Sequence, residues 1–374
     1  MAISERSRAL RAEGVKVLDL ATGEPDFDTP EPIRAAAKRA LDHGDTRYVS
    51  PAGVPALRTA IAAKLKTENG VFAQEVLVTP GAKAALYVAI HALVEPGVEV
   101  LLPEPAWVSF RPMVALAGGT TRPIALEAGF RLTREAIERQ VTAKTRVLIV
   151  NSPCNPTGRV LDEAERNAVI TAAIEHDLIV ITDEIYERVV YAPHRHVSLA
   201  ADPRMAERTL TVNGFSKAFA MTGWRLGYLA GPARLVSAAA KIHGHLATCA
   251  TSFAQAGGVA ALQTDPAVIE AMVATWARRR ERVCAFIDSL PLFACPKPDG
   301  AFYAFVDIRK TGLTSNEVAR RLLDQHHVAV VPGAAFGVEG EGFIRVSFAT
   351  SDAVLESALA AIHRFAELLE KERR

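Results

Sequence analysis

Cysteine is scarce here and badly spaced for cooperation. The four residues, Cys154, Cys249, Cys284 and Cys295, form no Cys-x-x-Cys pair. That argues against a disulfide framework or a zinc cluster and fits a reducing cytoplasm. No apolar run approaches the ~18 residues a membrane span needs. The first ten residues, Met1–Leu10, are charged and helix-like and lack the apolar core of a signal peptide. These absences predict a cytoplasmic protein. An excess of either charge is also missing: 43 Lys and Arg stand against 42 Asp and Glu, a net +1, so there is no electrostatic case for nucleic acid or a membrane surface. Internal repeats and low-complexity linkers are absent. What remains is an ordinary globular composition, 49% hydrophobic and 23% charged over 374 residues, long enough for two domains or one large one.

Short β-rich runs alternate with helical patterns from about Val76 to Val212. The strand candidates are Glu75–Thr79, Glu99–Pro103, Arg122–Leu126, Arg146–Val150, Leu178–Thr182 and Thr209–Val212. Helical stretches such as Ala82–Val94 and Asp162–His176 lie between some of them. This rhythm predicts an α/β domain with a largely parallel sheet. Arg225–Ala230 reads as a further strand only a dozen residues after Val212. A parallel crossover needs a helix of its own, so this strand is expected to be antiparallel. After about Pro232, long helices run to about Leu290. Three strand candidates follow, Ala301–Ile308, Val328–Pro332 and Phe343–Phe348, and then a helix over Ala353–Lys371. This predicts a smaller α+β domain, completed by the N-terminal segment, with a cleft against the large one. The expected division is 1–20, 21–285 and 286–374.

Lys217 follows the run Thr209–Val212, and Arg225 stands eight residues later. A lysine on a rigid strand-end loop can form a Schiff base with an aldehyde cofactor such as pyridoxal phosphate, and a nearby arginine can hold that cofactor's phosphate. Asp183 follows the strand Leu178–Thr182. A carboxylate buried at a strand end must be paired, and a protonated pyridine nitrogen is one partner; a helix N-cap is the other reading. Tyr186 and Asn155 can reach a phenolic oxygen, although the Asn151–Gly158 segment also reads as a plain strand–helix turn. Glu184 and Glu187 read as solvated or structural.

Val78–Leu86 reads as strand, small-residue turn and helix start. Free N–H groups at Gly81, Ala82 and Lys83 would bind phosphate well, while Lys83 itself is either a surface charge or a cleft residue. Trp107 can stack on a flat ring or belong to the core. Arg345, inside the β-patterned run Phe343–Phe348, needs a partner: a bidentate carboxylate ligand, or a structural ion pair.

Taken together, GEPDFDTP (Gly23–Pro30), RYVSPAGVPALR (Arg47–Arg58), VTPGAKAAL (Val78–Leu86), PAWVSF (Pro105–Phe110), NSPCNPTG (Asn151–Gly158), TDEIYE (Thr182–Glu187), TVNGFSKAFAMTGWRLGY (Thr211–Tyr228), DGAFY (Asp299–Tyr303) and FIRVSFATS (Phe343–Ser351) resemble, in collinear order, the class I aminotransferases of fold-type I, close to their aspartate/aromatic subgroup. The resemblance implies a mostly parallel seven-stranded sheet with one antiparallel strand, sandwiched by helices, plus a smaller α+β domain. It also implies pyridoxal phosphate as cofactor and amino transfer from an L-amino acid to a 2-oxo acid. Lys217 would then be the Schiff-base lysine and proton shuttle. Asp183 would pair with the ring nitrogen, and Tyr186 and Asn155 with the phenolic oxygen. Arg225 and the Gly81–Ala82–Lys83 turn would hold the phosphate, and Trp107 would stack on the ring. Arg345 would bind the substrate carboxylate with Asn155, Trp107 and the Gly23 backbone at the same subsite. Tyr48 would reach the phosphate of a neighbouring subunit, making the active unit a homodimer.

The chain departs from the aspartate-type pattern at Ala21 and Ala106, where a hydroxyl residue and a tyrosine are common, and at His243 and His245. These departures put an acidic-substrate preference in doubt and make a roomier or differently shaped side-chain pocket plausible. A PLP-dependent lyase or cyclase would share the same lysine. A non-catalytic PLP-binding sensor is the reading from another class; such regulators usually carry an appended DNA-binding domain, and the full set of catalytic positions argues against it.

Overall fold

The computed structural model describes residues 2–373. Its strands are β1 (Leu18–Asp19), β2 (Glu75–Thr79), β3 (Glu99–Glu104), β4 (Thr120–Ala125), β5 (Thr145–Asn151), β6 (Ile179–Asp183), β7 (Thr209–Gly214), β8 (Gly227–Gly231), β9 (Tyr303–Asp307), β10 (Val328–Ala329), β11 (Val331–Pro332) and β12 (Phe343–Ser347). Seven of them form one sheet in the order β2-β8-β7-β6-β5-β3-β4. Only β8 runs against the others, antiparallel to both β2 and β7. The expected antiparallel strand is therefore present, and for the expected reason: the segment Phe215–Leu226 returns the chain without a full helical crossover. That strand begins at Gly227 rather than Arg225, because Arg225 takes a left-handed φ of 52° that no strand accommodates.

The central strand β5 carries a continuous buried apolar run, Val147–Val150, as strands covered on both faces do, whereas β7 is buried along its whole length although its residues alternate. One face packs on the helices Ala82–Leu93 and Ala233–Ala247, the other on Arg134–Glu138 and Glu163–Glu175. The last of these opens with a full capping box, Asp162 accepting from Glu165 N and the Glu165 side chain reaching back.

The C-terminal strands form a separate antiparallel sheet, β11-β12-β9, covered by the helices Pro266–Asp288 and Asp352–Glu372. The run read as one strand over Val328–Pro332 is two. β10 pairs in parallel with β1, whereas β11 pairs with β12, so the chain changes sheets at Val330. Leu18 and Leu20 donate to the carbonyls of His327 and Ala329 at 2.8 and 2.9 Å, and Ser347 N donates to Leu20 O at 2.8 Å. The N-terminal segment is thereby clamped among the C-terminal strands just before it enters the cleft.

Candidate active site

A cleft of about 560 Å³ opens at the C-terminal ends of β5 and β6 and at the turns after β7 and β2. This is the rim at which open α/β sheets present ligands. Most of the residues singled out from the sequence converge there. Lys217, Asp183, Tyr186, Asn155 and Arg345 line its floor, and Arg225, Trp107, Ala82, Lys83 and Gly23 its walls.

Lys217 follows β7, and its Nζ donates to Gly23 O at 2.5 Å. Burial, reinforced by the positive charge of Arg345, pulls the amine down to about 8. An amine so placed is partly neutral near physiological pH, as a nucleophile or proton carrier must be. Asp183, at the end of β6, is 4% exposed. Its carboxylate accepts from Ile185 N at 3.2 Å in a turn, not at a helix start, which removes the N-cap reading. Burial pushes it up to about 7 despite that hydrogen bond, with the neighbouring Glu184 charge acting in the same direction. A buried carboxylate with only a backbone donor is suited to a cation that arrives with a ligand.

Arg345 lies on β12. Its Nη1 donates to Asn155 Oδ1 at 2.9 Å and its Nη2 to Ala21 O at 2.5 Å, while the guanidinium lies 4.3 Å from the Tyr303 ring centroid. It is 7% exposed, Nε has no partner, and among the described residues no carboxylate pairs with it. The structural ion-pair reading is therefore set aside: this is a buried cation facing a cleft with unused donors.

The helix Ala82–Leu93 starts at Gly81 without a side-chain cap. Gly81 has φ 86°, and a Cβ there would sit 2.7 Å from Arg225 Nη2. Glycine lets the guanidinium close on the helix N-terminus, and the two together form an anion cradle. Lys83 reaches the cleft rather than bulk solvent alone, with its Nζ 5.0 Å from the Trp107 ring centroid. Trp107 is half-buried and lines the cleft instead of joining the interior.

Tyr48 is not part of this assembly. It is 85% exposed and outside the cleft lining. His243 is fully buried and His245 exposed, and neither lines the cleft. Glu184 and Glu187 are structural, not solvated. Glu184 accepts from Ser198 Oγ at 2.7 Å and faces His196 Nε2 at 3.1 Å. Glu187 pairs with the buried Lys64 and accepts from Asn69 at 2.8 Å. Both ends of the Asp183–Glu187 turn are thus anchored from behind.

Sequence reasoning missed Tyr303. Its hydroxyl is 2.7 Å from Tyr186 OH, and it packs so tightly on Gly23 that a Cβ there would approach it to 2.3 Å. The motif Asp299–Tyr303 carried the signal, but only the tertiary fold brings β9 across from β6. Glu24, bonded to Thr222, also lines the cleft.

The donor set fits pyridoxal phosphate: an amine, a buried carboxylate, an aromatic wall and an anion cradle in one cavity. The family model for aminotransferase class I and II matches residues 15–362. The chain is 46% identical over 358 residues to an aspartate aminotransferase of Pyrococcus abyssi, covering 93% of this chain and 91% of the relative. It is 41% identical to aromatic-amino-acid aminotransferase 2 of Thermococcus litoralis, again covering 93% and 91%. The crystal structure of an aromatic aminotransferase from Pyrococcus horikoshii superposes with a TM-score of 0.92 at 43% identity, covering 99% of both chains.

Proposed function

The chain belongs to the class I and II aminotransferases, and from that premise we propose how its own residues carry out pyridoxal-phosphate-dependent amino transfer. The observation that carries the proposal is the meeting of Lys217, with an amine drawn down to about 8, the buried Asp183 and the carboxylate-free Arg345 in one cleft. When bound, the cofactor supplies an electrophilic aldehyde and a ring that withdraws electrons from the substrate's α-carbon.

Lys217 Nζ would hold the cofactor through its aldehyde carbon. The same Nζ, kept in the cleft by Gly23 O, would when free take the substrate's α-proton and hand it on. Asp183 would supply the counter-charge that keeps a pyridine nitrogen protonated. Tyr186, hydrogen-bonded to Tyr303, and Asn155 offer donors to the ring's phenolic oxygen. Arg225 and the Gly81–Lys83 turn would hold the phosphate, and Trp107 would stack on the ring. Arg345 binds the α-carboxylate through its outward donors, and its bonds to Asn155 and Ala21 fix the plane of the fork.

We further propose a homodimer in which Tyr48, held out on the surface, completes the phosphate site of the second subunit. The clamping of residues 18–20 among the C-terminal strands supports an N-terminal segment that joins the small domain, within a proposed division at about 20 and 285. The free cysteines support a cytoplasmic location, and no described helix is long and apolar enough to cross a membrane. For substrate, Lys83 gives a distal carboxylate a cation, whereas Ala21 and Ala106 lie outside the cleft lining and do not by themselves enlarge it.

The deciding experiment is the absorption spectrum of the protein with pyridoxal phosphate, titrated with single amino acids. Conversion of the cofactor to its amine form with release of the matching 2-oxo acid is expected, and the best donor defines the pocket. Ammonia or an eliminated side chain in place of the oxo acid would overturn the reaction class.

A further inference from the structure

The sequence spacing of Cys284 and Cys295 suggests no relation between them, but the fold puts them in contact. Cys284 lies in the last turns of the helix Pro266–Asp288, and Cys295 on the segment entering β9. Their Sγ atoms are 3.2 Å apart, with the Cys295 thiol donating to Cys284. Cys295 is held in that position from two sides. Its N–H donates to Asp288 Oδ1 at 2.7 Å, and Ala294 exchanges backbone hydrogen bonds with Asp307 at 3.1 and 2.9 Å. A disulfide bond is about 2.05 Å long, so about 1 Å of approach separates the pair from one, and nothing need unfold to achieve it.

The chemistry around the sulfurs favours the same outcome. The hydrogen bond from Cys295, and behind it the Arg280 guanidinium one turn earlier, draws the Cys284 thiol below its ordinary range; the same bond pushes Cys295 up. One thiol is therefore prepared to attack and the other to resolve. Both are almost wholly buried, 5% and 6% exposed, which restricts access to an oxidant as small as a peroxide.

We propose that Cys284 and Cys295 are a redox pair that closes to a disulfide when a small peroxide reaches it. The Cys284 thiolate attacks one peroxide oxygen, the O–O bond breaks, and the second oxygen leaves with a proton as water. Cys295 sulfur then attacks the resulting sulfenic acid, the S–O bond breaks, and the hydroxyl leaves with the Cys295 proton as a second water. Two thiols lose two electrons and hydrogen peroxide gains them.

The bond would fasten a helix that is tied to two segments leading into the cleft. Arg279 on that helix grips Asp26 at 2.9 Å, just after the Gly23–Glu24 wall. Arg280 donates to Pro298 O at 3.0 Å, on the segment that leads to Tyr303.

The test is treatment of the cofactor-loaded protein with dilute hydrogen peroxide, followed by alkylation of the remaining thiols and chymotryptic mapping, which cleaves between the two cysteines. Of the four thiols, two should be lost, with the Cys284 and Cys295 peptides joined and released by dithiothreitol. In Cys295→Ser, which keeps a hydroxyl donor toward Cys284 but has no resolving sulfur, Cys284 should instead accumulate sulfinic acid. If that variant does not fold, the wild-type map decides alone. Alkylated Cys284 and Cys295 after peroxide treatment, or sulfinic acid at Cys284 of the wild type without a joined peptide, would overturn the proposal.

Discussion

Replacing Asp183 by asparagine should make the apoprotein more stable and the enzyme much worse. The side chain is buried and has one backbone donor. Its carboxyl is carried from 3.8 to about 7 by that burial. At about 1.36 kcal/mol per pKa unit, the shift corresponds to at most about 4 kcal/mol held against the folded apoprotein when Asp183 is ionised. The amide keeps the shape without the charge, but its own buried N–H₂ costs about 1–2 kcal/mol if unpaired, so the expected net gain is about 2–3 kcal/mol. The sign follows from a raised folded-state pKa. Below about pH 4 the carboxyl is protonated in both states and the two proteins are equal on this account. As pH rises toward about 7, the unfolded chain ionises freely while the folded one resists, so wild-type stability falls relative to Asp183→Asn and the gap levels off above it. Urea unfolding of both apoproteins at about pH 5 and 8 measures it. Turnover should move the other way. Losing a charge-assisted hydrogen bond to a ring nitrogen costs about 1.5–3 kcal/mol, or about 10- to 150-fold in kcat/KM, before any loss of ring electrophilicity. A stability gap that is absent at pH 8, or that shrinks as pH rises, would refute the buried-carboxylate argument. Unchanged turnover would refute the pairing with the ring.

The other expectations are simpler. The apoprotein should capture pyridoxal phosphate faster as pH rises through about 8, where Lys217 loses its proton, and level off above; a flat profile would contradict the depressed amine, and Lys217→Ala should show neither the visible band nor turnover. Arg345→Ala should raise KM for every amino acid by at least about 30-fold, since truncating one partner of a buried charge pair costs about 2–5 kcal/mol, while the cofactor spectrum persists; a protein that no longer folds would mark Arg345 as structural. Gly81→Ala should weaken cofactor retention by about 10-fold or more, because the new Cβ meets Arg225 Nη2 at 2.7 Å on a backbone of φ 86°, and equal retention measured by dialysis would count against the cradle. Tyr48→Phe and Lys217→Ala proteins, unfolded and refolded together, should regain activity that neither has alone, through hybrids with one intact composite site. No recovery would place Tyr48 outside the partner's site.

The chain alone determined the sheet's strands and even the reversed β8, because β-rich runs and the short Val212–Arg225 connection are local properties that pattern and length record. It also identified Lys217, Asp183, Asn155, Arg225 and Arg345 as candidates, since each stands at a strand end or in a run where its charge or amide has no local explanation. Only the tertiary structure decided how those charges are met. It put Arg345 on Asn155 across 190 residues without a carboxylate, Tyr303 against Tyr186, and Glu184 and Glu187 into a buried network with His196 and Lys64. It split Val328–Pro332 between two sheets and left Tyr48 outside the cleft. It also brought Cys284 to Cys295, which no spacing rule pairs. The reason is common to all of these. Periodicity reports the environment of a residue along its own element, whereas hydrogen-bond partners and desolvation come from elements that are distant in sequence and meet only when the layers pack.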